Sequence, residues 1–392
     1  MVCTFFKWRR GVGKGGKVLL KILFLIHDLH HGGAEKVLVN LVNHMDHKKF
    51  NITILALFGG GVNEQFLSPE VRLLHGHSHA IPGNSHIMKL LSPQQLFRRY
   101  IKEKYDIIVS YLEGPSARIV SGCPNDGTRL VSWIHCTIKT PNEAAIGFRN
   151  FQEAQRCYQR FDCSVFVSSG VRDAFCRLIF PKRSFILHNV IDSDMIVKAS
   201  QKAISGCTFS GSKYKLVGVG KLEEVKGFER LLRIHKRLLL EEHLSVHTYL
   251  LGEGSKREMM ESWVQDNELC NSVTFLGYQT NPYKYVAKCD LFVCASFAEG
   301  FSTATTEALI VGTPVITTEV SGMQEMLGDN EYGVITENDE EALYRGIRDM
   351  LTTPGKLKYY KEKAKERGIS FNTSQTVRAV ENMLESIIEK EL

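Results

Sequence analysis

Long apolar runs, metal-spaced cysteines and prolines are what this sequence has least of. The most apolar N-terminal window, Val18 to Leu29, is broken by Lys21, His27 and Asp28, and it falls short of the roughly 18 residues a span requires. No transmembrane helix is expected. The window has the apolarity of a signal-peptide core, yet turn glycines and a helical pattern follow where a cleavage site should stand. The expectation is a cytoplasmic chain with at most a peripheral membrane contact. The ten cysteines never form a Cys-x-x-Cys pair, and Cys157/Cys163 and Cys289/Cys294 lack zinc spacing. Reduced core thiols are expected instead. With 10 Pro, 32 Gly, 43% hydrophobic and 23% charged residues, collagen and disorder are excluded. At 392 residues the chain is too long for a small stapled fold and long enough for two domains, each with its own core.

Acidic residues are scarce in the first half. Residues 1–200 hold 26 Lys/Arg against 15 Asp/Glu, a balance of +11, whereas the rest of the chain carries −5. The opening stretch has Lys7, Arg9, Arg10, Lys14, Lys17 and Lys21 and no acid, so residues 1–20 read as a basic tail facing a polyanion. A nucleic acid or an anionic membrane surface would fit. Nucleic-acid binding also calls for aromatics interleaved with the basic residues and a known module. Neither is found, so no nucleic-acid partner is expected.

Lys21–Ile26 is a short continuous apolar run, the mark of a buried parallel strand. Glycines at 32 and 33 break it, and Val37, Leu38, Leu41, Val42 and Met45 then recur at helical spacing. Further strands are expected at Asn51–Phe58, Asp106–Leu112, Leu130–His135, Ser164–Ser168 and Phe185–Val190. After a polar linker at 198–213 they resume at Leu216–Val219, Val246–Leu251, Val273–Leu276, Leu291–Ala295, Pro314–Thr317 and Val334–Thr336. Helices fall between them, including Phe228–Leu240 and Thr303–Val311. The expected architecture is α/β: an N-terminal Rossmann-like domain at 21–197, a C-terminal one at 214–372, and a crossover helix at 373–392 packing back on the first. Ligands of open α/β sheets bind at strand carboxyl ends, so function belongs to the turns after strands.

Three motifs mislead. Gly11 to Gly16 satisfies G-x-G-x-x-G and Gly11 to Lys17 nearly satisfies the Walker pattern, but no strand precedes them. Asp192-Ser193-Asp194 has the form of a metal-holding D-x-D but stands where Asp caps a helix. The clusters His27/His30/His31 and His75/His77/His79 have no carboxylate or cysteine spaced to close a metal site. No metal and no cofactor are expected.

The informative residues lie in the second half. Leu216 to Gly227 places Lys221 after a strand and Lys226 before a helix, and two cations at strand ends suit a diphosphate. Two solvated lysines are the plain alternative. Then Asp290–Ser296 runs into Phe297-Ala298-Glu299-Gly300-Phe301-Ser302-Thr303 and a helix carrying Glu307. Gly300 permits close backbone approach, and the amides of Phe301, Ser302 and Thr303 form a second anion cradle. Glu299 and Glu307 bracket that point, where carboxylates accept from vicinal hydroxyls of a sugar and a ribose.

Gly32-Gly33-Ala34-Glu35, the strand-Gly-x-Leu…Lys-Gly pattern at Gly220 to Gly227, the E-x7-E from Glu299 to Glu307, Gly312-Thr-Pro314-Val315 and Gly322-x-x-Glu325 occur in order. Together they resemble the family 4 (group 1) retaining glycosyltransferases of the GT-B fold, over about Lys21 to Leu392. The resemblance implies two Rossmann-like domains facing across a cleft. It also implies that Lys221 and Lys226 bind the donor diphosphate, that Glu307 takes the ribose, and that Glu299, Gly300, Phe301, Ser302 and Thr303 hold the donor sugar and distal phosphate. Gly33 would reach the same diphosphate, and His135 would touch the transferred sugar. Catalysis is thus expected of Glu299, His135 and Lys226. Two departures stand out: Lys221 replaces the usual Arg, losing the bidentate fork, and Ser302-Thr303-Ala304 replaces Gly-Leu-Pro.

The implied activity is metal-independent transfer of a hexose or N-acetylhexosamine, with retention, from a UDP-linked donor. With Glu299 assigned to sugar hydroxyls, front-face substitution fits better than a covalent intermediate. The acceptor is expected on the basic first domain near Glu113, Gly114 and Ser116. A lipid-linked saccharide or a growing cell-envelope polysaccharide at an anionic membrane would suit it. Alternatives are a UDP-sugar epimerase of the same fold, which would interconvert donors without acceptor, and an idle sugar-binding relative with no turnover.

Overall fold

Thirteen strands, all paired in parallel, form two sheets in the computed structural model, which describes residues 19–30, 32–78, 88–204, 209 and 211–388. The glycine motif at 11–16, the basic residues from Lys7 to Lys17, His31 and His79 lie outside the described residues. In the first sheet β1 (Leu20–Ile26), β2 (Phe50–Phe58), β3 (Arg72–His77), β4 (Ile107–Ser110), β5 (Arg129–Ile134), β6 (Cys163–Phe166) and β7 (Ser184–Ile186) are ordered 3-2-1-4-5-6-7. In the second, β8 (Tyr214–Val219), β9 (Val246–Leu251), β10 (Val273–Gly277), β11 (Leu291–Cys294), β12 (Val315–Thr318) and β13 (Val334–Thr336) are ordered 10-9-8-11-12-13. Each is a doubly wound sheet whose order reverses once, between β1 and β4 and between β8 and β11.

The continuous apolar runs are strands because parallel sheets are covered on both faces. Ile22 to Ile26 of β1 are almost fully buried, as are all four residues of β11. β3 went unanticipated because its sequence, Arg-Leu-Leu-His-Gly-His, is that of a half-exposed edge strand next to β2 only. The chain forms two compact units, one comprising Met1–Phe166, Arg172–Val190 and Ser374–Leu392, the other Val167–Val171 and Ile191–Thr373. The crossing at Val190/Ile191 precedes the helix Ser193–Ser200, which contacts the helices Tyr283–Val286 and Thr303–Ile310 of the second unit.

The terminal helix Thr373–Ile388 buries Val377, Val380, Met383, Leu384 and Ile387 along one stripe. It belongs to the first unit, where Glu381 accepts the Asp46 amide at 2.6 Å and Glu385 pairs with Lys49 at 3.0 Å. Asp192 caps the helix Ser193–Ser200 by accepting the Met195 amide at 3.0 Å. The eight described cysteines are free thiols, five of them buried. Among the described residues no helix is long and apolar enough to cross a membrane.

In the second unit the imidazole of His235 is wholly buried, hydrogen-bonded to Thr248 Oγ1 at 2.8 Å and to Ser272 Oγ at 2.9 Å. Burial, with His247 adding to it, lowers its pKa from 6.5 to about 4. Between these values the unfolded chain binds a proton that the folded one refuses, so stability falls as pH drops through this window. We expect acidification from pH 6.5 to 4.5 to cost the wild type about 2 kcal/mol more than His235→Gln. Urea unfolding of both proteins across that range measures it. A wild-type-to-variant gap that does not change with pH would contradict a neutral buried His235.

Candidate functional site

The reversal between β8 and β11 brings the turns that follow these two strands side by side. The turn after β8 ends in a short helical segment, Glu224–Lys226, and Gly227. Gly227 has φ +64, and a Cβ there would lie 2.0 Å from the carbonyl oxygen of Ala295, so only glycine lets the two turns approach this closely. The Phe297 amide, from the second turn, donates to the Val225 carbonyl at 2.8 Å. The packing delivers Lys226 Nζ to Glu299 Oε1 at 2.6 Å, and Ser296 Oγ donates to the same oxygen at 2.6 Å. Lys226 is 28% exposed and Glu299 10%. Burial works to lower the Lys226 pKa, but the Glu299 carboxylate outweighs it and holds the ammonium above its ordinary value. Lys221 is exposed on the same turn.

Beyond Glu299 the chain enters the helix Thr303–Ile310. The Gly300 carbonyl accepts from Ser168 Oγ at 2.9 Å, within the second unit, and Phe301 is buried. Ser302 is the N-cap: its Oγ accepts from the Thr305 amide at 3.3 Å and contacts Thr305 Oγ1 at 3.0 Å. Its hydroxyl oxygen therefore serves the helix as its cap. The first-turn amides of Thr303 and Ala304 have no carbonyl inside the helix to bond, so they carry the positive end of the dipole. Glu307, one turn further, is 7% exposed and accepts from the Tyr283 hydroxyl at 3.2 Å.

In the first unit the reversal between β1 and β4 gathers a second set. Gly33 is the exposed first residue of the helix Gly33–His44. After β4, Glu113 Oε1 accepts the Cys136 amide at 2.7 Å and the His135 amide, so this carboxylate braces the turn after β5. Burial raises its pKa against the lowering effect of those amides. Gly114 has φ +70, and a Cβ would sit 2.9 Å from the Ile146 carbonyl oxygen. Ser116 is only 1% exposed, turned into the unit at the start of the helix Pro115–Val120, so its hydroxyl is not presented to a ligand. The His135 ring lies 4.7 Å from Tyr111 and 6.2 Å from Trp133, centroid to centroid. Its Nε2 is buried without a hydrogen-bond partner among the described residues, and burial lowers its pKa to about 3, which makes it a neutral imidazole.

Sequence reasoning missed Arg230. Its guanidinium is buried beneath the turn after β11 and bonded to the carbonyls of Ala295 and Ser296. Phe228–Leu240 reads as an amphipathic helix, and nothing local marks one of its arginines as inward-facing. It also missed the second role of the Gly322-x-x-Glu325 motif, in which Glu325 Oε1 accepts the Ser169 amide at 2.7 Å and its hydroxyl at 2.5 Å.

The geometry agrees with the chain's relatives. Residues 31–195 match the model for Glycosyltransferase Family 4, and residues 202–367 match that for Glycosyl transferases group 1. An N-acetylgalactosamine-N,N'-diacetylbacillosaminyl-diphospho-undecaprenol 4-alpha-N-acetylgalactosaminyltransferase of Campylobacter jejuni is 29% identical over 370 residues, 91% of this chain and 97% of the relative. The lipopolysaccharide core biosynthesis glycosyltransferase LpsE of Rhizobium meliloti is 22% identical over 322 residues, 82% and 86% of the two chains. Anabaena HepE, solved with UDP-glucose, superposes with a TM-score of 0.72 at 18% identity, covering 94% of this chain and all of its own, and so shares the fold. With two doubly wound parallel domains of the GT-B type and both family models matched in order, the chain belongs to the group 1, family 4 glycosyltransferases.

Proposed function

We propose that this glycosyltransferase moves a hexose or N-acetylhexosamine from a UDP-linked donor, with retention, to a lipid-linked saccharide or a growing cell-surface polysaccharide. The observation that carries the donor side is the Lys226–Glu299 pair lying beside the start of the helix Thr303–Ile310. A sugar nucleotide presents a diphosphate and sugar hydroxyls in immediate succession, and the paired ammonium and carboxylate offer one partner to each. Lys221, Lys226 and the amides from Phe301 to Thr303 take the phosphates, Glu299 the sugar hydroxyls, and Glu307 the ribose. The UDP-glucose in the HepE structure and the undecaprenyl-diphosphate saccharide named for the Campylobacter jejuni relative support the two ligand classes.

In the chemical step the bond from the anomeric carbon to the diphosphate oxygen breaks, and its electron pair leaves on the diphosphate. Lys221, Lys226 and the helix start stabilise that developing charge, doing the work a divalent ion does elsewhere. The acceptor hydroxyl attacks from the same face as the departing group, which takes its proton, so configuration is kept through an oxocarbenium-like state. His135, neutral at any working pH, offers a sugar hydroxyl a hydrogen bond and not a charge. The acceptor lies along the turn at Glu113 and Gly114, where Glu113 contributes by shaping the His135 loop and the buried Ser116 by packing. The basic balance of the first half fits an acceptor held at an anionic membrane surface, on its cytoplasmic face.

Nucleotide-sugar turnover with lipid-linked saccharide acceptors, followed by release of free UDP, tests this. Glu299→Ala is expected to lower kcat by about 100-fold or more while UDP still binds; unchanged turnover in that variant rules out the assignment. Dialysis against EDTA is expected to leave the rate unaltered, and a loss restored by added Mg2+ or Mn2+ would return the diphosphate to a metal. Gly227→Ala, which drives a methyl group into the Ala295 carbonyl, is expected to raise donor KM by roughly tenfold. A donor KM equal to the wild type's would show that the approach of the two turns does not shape the site.

A further inference from the structure

Arg230 is the one arginine in the helix Phe228–Leu240 that is turned fully inward, at 2% exposure. Its Nε donates to the Ala295 carbonyl at 2.7 Å, and Nη2 reaches the carbonyls of Ala295 and, at 2.8 Å, Ser296. Nη2 also meets Asn338 Oδ1 at 3.0 Å and Thr318 Oγ1 at 3.4 Å, while the Phe297 ring lies 4.0 Å from the guanidinium carbon. No carboxylate hydrogen-bonds to it among the described residues. A buried cation without a bonded counter-ion is expensive, and burial lowers its pKa accordingly. Its neighbours complete a clasp: Thr318 Oγ1 donates to the Ser296 carbonyl at 2.6 Å, and Asn338 Nδ2 donates to the Phe297 carbonyl at 3.1 Å.

We propose that Arg230 is a positioning residue for sugar transfer, fixing the turn Ala295–Phe297 from below so that Ser296 and Glu299 meet the donor sugar in one geometry. This rests on the donor-site reading above and extends it to a residue that touches no substrate. The carbonyls of Ala295, Ser296 and Phe297 lie beyond Cys294, where the pairing of β11 with β12 ends, and the two that the guanidinium meets are buried acceptors that need donors in fixed directions. A planar guanidinium supplies a fork that spans two of them, which an ammonium does not. Because Ser296 Oγ holds Glu299, any shift of this turn moves the carboxylate directly, whereas it reaches the turn of Lys221 and Lys226 only through the Phe297 amide and the contact at Gly227.

A double-mutant cycle between Arg230→Lys and Glu299→Ala, read with a UDP-sugar and acceptor, tests the assignment. We expect Arg230→Lys to lower kcat about 30-fold and leave the UDP dissociation constant within about threefold, with the double variant no slower than Glu299→Ala alone. Should Arg230→Lys fail to fold, Asn338→Ala, which removes one arm of the clasp, takes its place with an expected loss of about fivefold and the same non-additivity. Losses that multiply in the cycle, UDP affinity that falls in step with kcat, or turnover equal to the wild type's in the folded variant overturn the proposal. A wild-type protein that releases no UDP from any nucleotide sugar overturns the function itself and this inference with it, whereas wild-type turnover with multiplying losses overturns the inference alone.

Discussion

A backbone carbonyl that leaves a parallel strand and stays buried must find a donor, and the second unit is organised around that requirement at the end of β11. Strand pairing satisfies β11 only through Cys294, where its ladder to β12 stops. The next three carbonyls are met by side chains from three separate places: Arg230 on a helix, Thr318 at the end of β12, and Asn338 after β13. Satisfying them converts a loop that would otherwise fluctuate into a rigid platform. Glu299 stands on that platform, and the turn after β8 is bonded to its edge through Phe297 and Val225.

Why the platform lies where it does is a consequence of winding. Crossovers from β8 and from β11 leave in opposite directions along the sheet, and the turns that follow these two strands are the pair that topology forces together. The first unit repeats the logic between β1 and β4, where Gly33 opens a helix and Glu113 braces the loop of His135. The two sets differ in electrostatic character. The second unit offers a paired cation and anion, the first an imidazole stripped of its charge by burial among aromatic rings. One suits an ionic ligand, the other neutral hydroxyls.

The strands with continuous apolar runs were legible because both their faces are covered, and the stripe Val377 to Ile387 was legible because it is periodic. β3 was not, since an edge strand with three polar or charged side chains in six residues lacks either signal. Lys226 and Glu299 could be picked out one by one from their place after strands, but their contact spans 73 positions and no local pattern encodes it. The same holds for Arg230, whose role depends on a carbonyl 65 residues away. Ser302 was read for its backbone amide and Ser116 for its place in a turn after a strand. Folding gave one to a helix cap and the other to the interior, roles set by the residues around them.

On the proposed function, the Lys226–Glu299 pair also bears on which ligands the site prefers. A diphosphate alone that captured Lys226 would strip Glu299 of its cation and leave the carboxylate to Ser296. Charge-assisted hydrogen bonds contribute about 1.5–3 kcal/mol each, so the exchange gains little. A sugar nucleotide satisfies both members at once: phosphate oxygens replace Glu299 around the ammonium, and sugar hydroxyls replace Lys226 around the carboxylate. The intramolecular pair is then a placeholder that keeps two partly buried charges compensated until a ligand carrying both complements arrives. After transfer the sugar is gone, Glu299 has lost its sugar hydroxyls, and re-forming the pair competes with the remaining diphosphate for Lys226. Selection for the intact donor and release of the spent one follow from the same ion pair.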